Sequence, residues 1–247
     1  MSRVHPFLAP NVGGGFIPFA HRGGSPAHAE NSLSAFRHAW SLGFRYLETD
    51  VQVTADGVLV AFHDDDLHRT CGLPQLISEM TWNQVQRARI DGLEPIPRLV
   101  DLLEEFPTAH VNIDAKSDAS VDPLVEILRR TASLDRVCIG SFSHRRLRRI
   151  RDILGEAVCT SASPVEVAQW MAGRRLVGPN CWQVPVKNGS LRVVTERRVA
   201  RTIQPIHVWT VDDPTVMQHL IDIGVQGIMT DRADVLRDVA RSNGLWP

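Results

Sequence analysis

Short apolar runs alternate with stretches of helical periodicity almost to the end of the chain. The runs that read as strands are 16–20, 45–53, 58–62, 110–114, 136–140, 157–160, 181–186, 205–211 and 226–230. Apolar residues at helical spacing predict helices over 31–42, 97–106, 121–132, 143–154, 163–172, 195–202, 213–223 and 232–240. Three of these have start signals: Ser120, Ser143 and the run Asp212-Asp213-Pro214. Strands alternating with helices predict a parallel sheet with its helices packed outside.

Nine strand candidates are one too many for an eight-stranded barrel, and the surplus has a local explanation. Only Thr54-Ala55-Asp56-Gly57 separates 45–53 from 58–62, whereas a parallel crossover needs about a dozen residues or more. Asp-Gly between alternating apolar residues is a hairpin signal. The two runs are therefore expected to pair antiparallel, with Glu48 almost opposite His63. The expected fold is α/β: a single TIM (β/α)₈ barrel with a β-hairpin at the rim where the strands end. No repeat, low-complexity tract or flexible linker divides the chain, which reads as one domain over 1–247 with its core at 16–240. The widest gap between strands, Asp64 to His110, holds a weak helix near 82–90 and is expected to wall an open pocket.

A chain of 247 residues suits such a barrel, which typically takes about 250. Hydrophobic residues make up 43% and charged residues 22%, as in a globular soluble protein. The net charge of −1 creates no global field toward nucleic acid or anionic membranes. Cys71, Cys138, Cys159 and Cys181 form no CxxC pair and read as reduced core thiols. The N-terminal MSRVHPFLAPNVGGGF has no apolar core of a signal peptide, and no run approaches the ~18–20 apolar residues of a membrane span, so cytoplasmic residence is the expectation. Nothing in the sequence sets an oligomeric state.

The strand ends carry the chemistry. His21 and His63 each close an apolar run, and Glu48 and Asp50, two apart on a strand, point to one face. Asp114 and Lys116 end another strand, and Trp209 a later one, where it is expected to wall a substrate pocket. In a parallel barrel these ends share one mouth. Three carboxylates there (Glu48, Asp50, Asp114) would repel unless a cation sat among them, and oxygen ligands favour Mg²⁺ or Ca²⁺ over zinc. Arg22 offers a planar fork and Lys116 a point charge to a phosphate. One histidine could take a proton from a nucleophile and the other give one to a leaving alkoxide. Together these describe cleavage of a small phosphodiester.

The ordered motifs resemble those of the glycerophosphodiester phosphodiesterases. They stand here as His21-Arg22-Gly23, Glu30-Asn31-Ser32, Glu48-Thr49-Asp50, Thr54-Ala55-Asp56-Gly57, His63-Asp64, Leu67-His68-Arg69-Thr70-Cys71 and Asp114-Ala115-Lys116. The resemblance runs over roughly 16–238. It implies a TIM barrel that hydrolyses glycerophosphodiesters to glycerol 3-phosphate and an alcohol, with His21 and His63 as the acid–base pair and Glu48, Asp50 and Asp114 holding Ca²⁺ or Mg²⁺. Asp114 stands where the family usually has Glu, one methylene longer. The same site could serve a lysophospholipase D given an apolar channel for an acyl chain. A barrel lyase or a non-catalytic binding barrel would leave both histidines unexplained.

Several features have plainer readings. Glu30 and Asn31 are expected to cap the helix from 31. In the run His144-Arg145-Arg146-Leu147-Arg148-Arg149-Ile150-Arg151, the apolar Leu147, Ile150 and Leu154 share a face, leaving the arginines on the solvated side. The remaining histidines read as bystanders.

Overall fold

The computed structural model describes residues 4–11 and 15–246. Within the N-terminal stretch expected to carry no signal core, residues 1–3 and 12–14 lie outside the described residues, as does 247 at the other end. Eight parallel strands form the sheet: β1 Ile17–His21, β2 Tyr46–Val53, β3 His110–Ala115, β4 Val137–Gly140, β5 Cys159–Thr160, β6 Trp182–Pro185, β7 Ile206–Trp209 and β8 Gly227–Thr230. Each is followed by a helix: α1 Leu33–Leu42, α2 Leu99–Glu105, α3 Val121–Arg130, α4 His144–Leu154, α5 Pro164–Met171, α6 Glu196–Val199, α7 Pro214–Asp222 and α8 Ala233–Ser242. The strands pair in the order β5-β4-β3-β2-β1-β8-β7-β6. A lone parallel bridge, Ser161↔Cys181, joins the two ends. The architecture is that of a TIM barrel.

The strands were readable because both their faces are covered, which makes each a short apolar run; all eight residues of β2 are buried. The helices show one apolar face each. In α3, Val121, Leu124, Val125 and Leu128 are buried at helical spacing. Residues Leu59–Ala61 pair antiparallel with the end of β2, Val51 opposite Ala61, and the Phe62 N–H donates to the Asp50 carbonyl at 3.0 Å. Extended along the same register, His63 falls opposite Thr49, one residue from the position expected beside Glu48.

Other expectations shift. Ser143 and Asp213 cap their helices through their side chains, but Ser120 makes no such bond and instead donates to the Ser117 carbonyl at 2.6 Å. The helix expected over 195–202 is one turn, Glu196–Val199. The weak helix near 82–90 is Trp82–Val85, followed by a two-residue strand pair, Arg89–Ile90 with Glu94–Pro95. Beneath the 64–110 segment, Phe62, Leu67, Ile77, Val85, Ile90 and Ile96 form a small core of their own.

The arginines of α4 do more than meet solvent. Arg149 reaches Asp122 of α3 at 2.7 Å, Arg145 and Arg146 share Asp118, and Arg151 reaches Glu166 of α5 at 2.5 Å. Leu147, Ile150 and Leu154 face inward as expected. At the N-terminal end of the strands lies a segment that periodicity did not reveal, the 3₁₀ turn Pro6–Asn11. Its Phe7 is 0% exposed and packs on Phe19 and Tyr46, and the Tyr46 hydroxyl donates to the Phe7 carbonyl at 2.7 Å.

Candidate active site

The C-terminal strand ends bring together side chains that are far apart in sequence. Parallel registers set His21 beside Glu48 across β1–β2, and Asp50 beside Asp114 across β2–β3. After His21 the chain turns sharply through Arg22 (φ 50°) and Gly23 (φ 97°). A Cβ on Gly23 would lie 2.4 Å from that of Ala35, so only glycine lets this turn pack on α1. The turn aims the Arg22 N–H at a Glu48 carboxylate oxygen, 3.1 Å away.

Asp50 is the hub. One oxygen lies 2.9 Å from Arg22 Nε and 3.2 Å from Asn31 Nδ2; the other lies 2.7 Å from Lys116 Nζ. Lys116 also contacts Asp114 Oδ2 at 2.7 Å. Burial alone would raise the pKa of Asp50, but Lys116 and Arg22 outweigh it and hold the carboxyl below its usual range. Glu48 has the opposite fate: burial first, then the Asp50 charge, push its pKa up to about 7.

Each histidine is held through Nδ1 by an aspartate. His21 Nδ1 lies 2.7 Å from Asp231 Oδ1, while its Nε2 lies 3.8 Å from Glu48. Burial disfavours its charged form, but Glu48 and Asp231 together outweigh burial and raise its pKa. His63 Nδ1 lies 2.5 Å from Asp64 Oδ1. Asp64 in turn accepts from Arg69 Nε at 2.6 Å, Arg69 forks onto Glu30 at 2.6 and 2.9 Å, and Glu30 accepts from Arg22 at 3.2 Å. One polar chain thus runs from His63 to Asp50. The His63 side chain keeps 35% of its exposure, so the 64–110 segment does not close over it.

Sequence reasoning missed several members. Glu30 and Asn31 do not cap α1; Ser32 does, accepting from the Ala35 N–H. Asn31, 1% exposed, instead ties Thr49 to Asp50, and Glu30 joins two arginines. An Asn just ahead of a helix reads as a cap whichever task it has. Asp231 was visible only as a polar strand end, in the family-like segment Thr230-Asp231-Arg232, with nothing to tie it to His21.

His21, Arg22, Glu48, Asp50, His63, Asp114 and Lys116 line a cavity of about 730 Å³. Its floor includes Asn112 and Gln183, joined at 2.7 Å. One wall is apolar: Trp209 meets Phe142 edge-on at 5.8 Å, with Val167, Met171, Leu191 and Val193 beyond.

The three carboxylates are neighbours without forming a tight cage. They do not bring one oxygen each to within 4.8 Å of one another; among the described residues, the side chains that gather so closely are Cys138, Cys159 and Cys181. Lys116 occupies the space between Asp50 and Asp114. The donor set still suits a hard cation. It is all oxygen, and Asp114 Oδ1 is buried without a hydrogen-bond partner.

Comparison with known proteins gives a concordant picture. The glycerophosphoryl diester phosphodiesterase family matches residues 21–235. A probable glycerophosphodiester phosphodiesterase 2 of Mycobacterium tuberculosis is 40% identical over 94% of both chains. Among solved structures, a putative glycerophosphoryl diester phosphodiesterase from Silicibacter pomeroyi superposes with a TM-score of 0.84 at 22% identity, covering 98% of this chain and 100% of the other. An Oleispira antarctica phosphodiesterase, solved with the product sn-glycerol-3-phosphate, superposes with a TM-score of 0.78 at 19% identity, over 91% and 96% of the two chains. At such identities these two structures establish the fold.

Proposed function

Because the chain belongs to the glycerophosphoryl diester phosphodiesterase family and is therefore a phosphodiester hydrolase, we propose that it hydrolyses glycerophosphodiesters to glycerol 3-phosphate and an alcohol with His21 and His63 as its acid–base pair. The observation that carries this reading is the shared anchoring of both rings. An Nδ1–H bonded to an aspartate leaves Nε2 as the working nitrogen, and both rings line the cavity. One takes the proton of the attacking hydroxyl, and the other returns one to the leaving oxygen.

Glu48, Asp50 and Asp114 are the residues that would hold Mg²⁺ or Ca²⁺, which when bound would neutralise charge on the phosphoryl oxygens. Arg22 and Lys116 balance the carboxylates and lie at the cavity wall, where each can turn donors to a phosphate. Trp209 and Phe142 would bound the alcohol side of the pocket. A cytoplasmic setting belongs to the same reading, since all four thiols are free.

The test is release of glycerol 3-phosphate from glycerophosphocholine, with Mg²⁺ or Ca²⁺ and with EDTA. Metal-dependent release is expected; a folded, metal-loaded protein that releases nothing from this or related diesters would overturn the reading. The apolar wall of Val167, Met171, Leu191 and Val193 favours one second reading, a lysophospholipase D that seats an acyl chain there. Lysophosphatidylcholine run alongside separates the two.

A further inference from the structure

At the opposite end of the barrel interior, three sulfurs face one another beside a buried imidazole. Cys138 lies in β4, Cys159 opens β5 and Cys181 immediately precedes β6. Register explains their meeting: Cys138 pairs with Cys159, and Ser161 with Cys181, so parallel strands bring them to one layer. All three are 0% exposed. Their sulfurs lie within 4.8 Å of one another, with Cys138 and Cys181 3.9 Å apart. A tetrahedron built on zinc–sulfur bonds of ~2.3 Å has edges of about 3.8 Å.

His207 of β7 neighbours Cys181, although its ring nitrogens are not within 4.8 Å of all three sulfurs. Its ring is fully buried, and its Nε2 lies 3.0 Å from Asn11 Oδ1. The Asn11 amide donates to the carbonyls of Gly15 and Gln226 at 3.0 and 2.7 Å, which fixes Oδ1 as the acceptor and puts the proton on His207 Nε2. Nδ1 is then a bare lone pair, buried without a hydrogen-bond partner of good geometry. The Cδ2 edge of the ring faces β8, since a Cβ on Gly227 would lie 2.7 Å from it. Nδ1 is on the other edge, away from β8. Thiols serving only as small hydrophobes would have no use for an unsatisfied imidazole nitrogen beside them.

We propose that Cys138, Cys159 and Cys181 form a structural site for a thiophilic, tetrahedral divalent cation of the zinc type, with His207 drawn in as the fourth ligand, separate from the carboxylates at the mouth. Three thiolates and one imidazole fill four positions, and no position is left for a substrate. Each thiol loses a proton as the ion binds, and no electrons move. Asn11 plays the orienting part that a hydrogen-bonded carbonyl plays behind many metal-bound histidines, and the Gln183 amide sits 3.9 Å from Cys138 Sγ. The ion would tie together β4, β5, β6 and β7, across the seam that a lone bridge otherwise closes. Because the site is enclosed, it loads while the barrel folds.

The full chain, unfolded under reducing conditions, is refolded with Co²⁺ and washed with EDTA, and its absorption spectrum is recorded. The expected result is a thiolate-to-cobalt charge-transfer band with tetrahedral ligand-field bands, kept in Cys71→Ser and lost in Cys138→Ser. Refolded protein without that band, or a band that Cys138→Ser retains, overturns the proposal. Chain isolated from zinc-supplemented cells and dialysed against EDTA answers without refolding: retained zinc, stoichiometric with the chain, supports the site, and its absence overturns it. Neither readout depends on hydrolytic activity.

Discussion

Asp231 and Asp64 grip their histidines by the same ring nitrogen, but from different surroundings. Asp64 is itself clamped by Arg69, whereas Asp231 has an N–H bonded to Asp212 at 2.8 Å and its side chain is 52% exposed. His21→Ala or His63→Ala is expected to lower the rate by ~10²–10⁴ with little loss of fold. Asp231→Asn should cost less and leave a clearer signature. Removing that carboxylate takes away part of what raises the His21 pKa, so the limb of the pH–rate profile that reports His21 should move to lower pH. An unmoved limb would dissociate Asp231 from the histidine. Lys116 tests the charge balance. Burial disfavours its ammonium, yet Asp114 and Asp50 outweigh burial and raise its pKa. Lys116→Ala takes the ammonium from Asp114 and leaves Asp50 with Arg22 alone as its cation, and should destabilise the cation-free protein by up to ~3 kcal/mol. Urea unfolding in EDTA measures this, and Mg²⁺ or Ca²⁺ should restore part of it. At this scale the sequence disclosed His21, Glu48, Asp50, His63 and Asp114, because each ends or alternates along an apolar run. It did not disclose the contacts of Glu30, Asn31 and Asp231, which depend on which strand ends become neighbours.

Elements meet through polar contacts as well as apolar faces. Arg151 of α4 reaches Glu166, which also accepts from the Ser163 N–H at 2.7 Å and so completes the cap of α5. Burial opposes the Glu166 charge, but Arg151 and Ser163 outweigh it and hold the carboxyl below its usual range. The sign follows: this contribution is fully present above the unfolded carboxylate pKa of about 4.3 and disappears as pH falls through the lower folded value. Glu166→Gln should therefore cost ~1.5–3 kcal/mol near neutrality, and its unfolding curve should converge on that of the parent chain in acid. Capping was only half legible. Ser143 and Asp213 cap as their positions suggest, but Ser120 turns its hydroxyl back to Ser117, a local bond that sequence does not distinguish from a cap. The pair Lys187–Asn188 with Leu191–Arg192 was hidden because two-residue strands carry too few positions to show alternation.

For the whole molecule, closure is uneven. β2 and β3 share six registered pairs, whereas β5 and β6 meet through one bridge. The helix after β6 is a single turn. We expect the chain to unfold as one domain in a single transition, yet to open locally at this seam. In native-state hydrogen exchange, the Ala162 and Asn180 amides, bonded across the seam at 3.1 and 2.9 Å, should exchange ahead of those in β2 and β3. Equal protection around the ring would contradict this. The barrel as a class was legible because doubly covered strands give apolar runs separated by amphipathic helices. The meeting of Cys138, Cys159 and Cys181 was not, since their spacing of 21 and 22 residues has meaning only once strand register is known.

The Pro6–Asn11 turn bears on where this chain could be cut for a fusion or graft. The family pattern matches residues 21–235, while a full-length relative aligns over 94% of the chain. The first border removes Phe7, Asn11 and all but the last residue of β1; the second falls three residues into α8. The family pattern and the packed core have different borders in this chain. A gene fusion or domain graft cut at 21 and 235 would keep His21, Glu48, Asp50, His63 and Asp114 but lose most of α8 and the turn whose Phe7 packs on Phe19 and Tyr46.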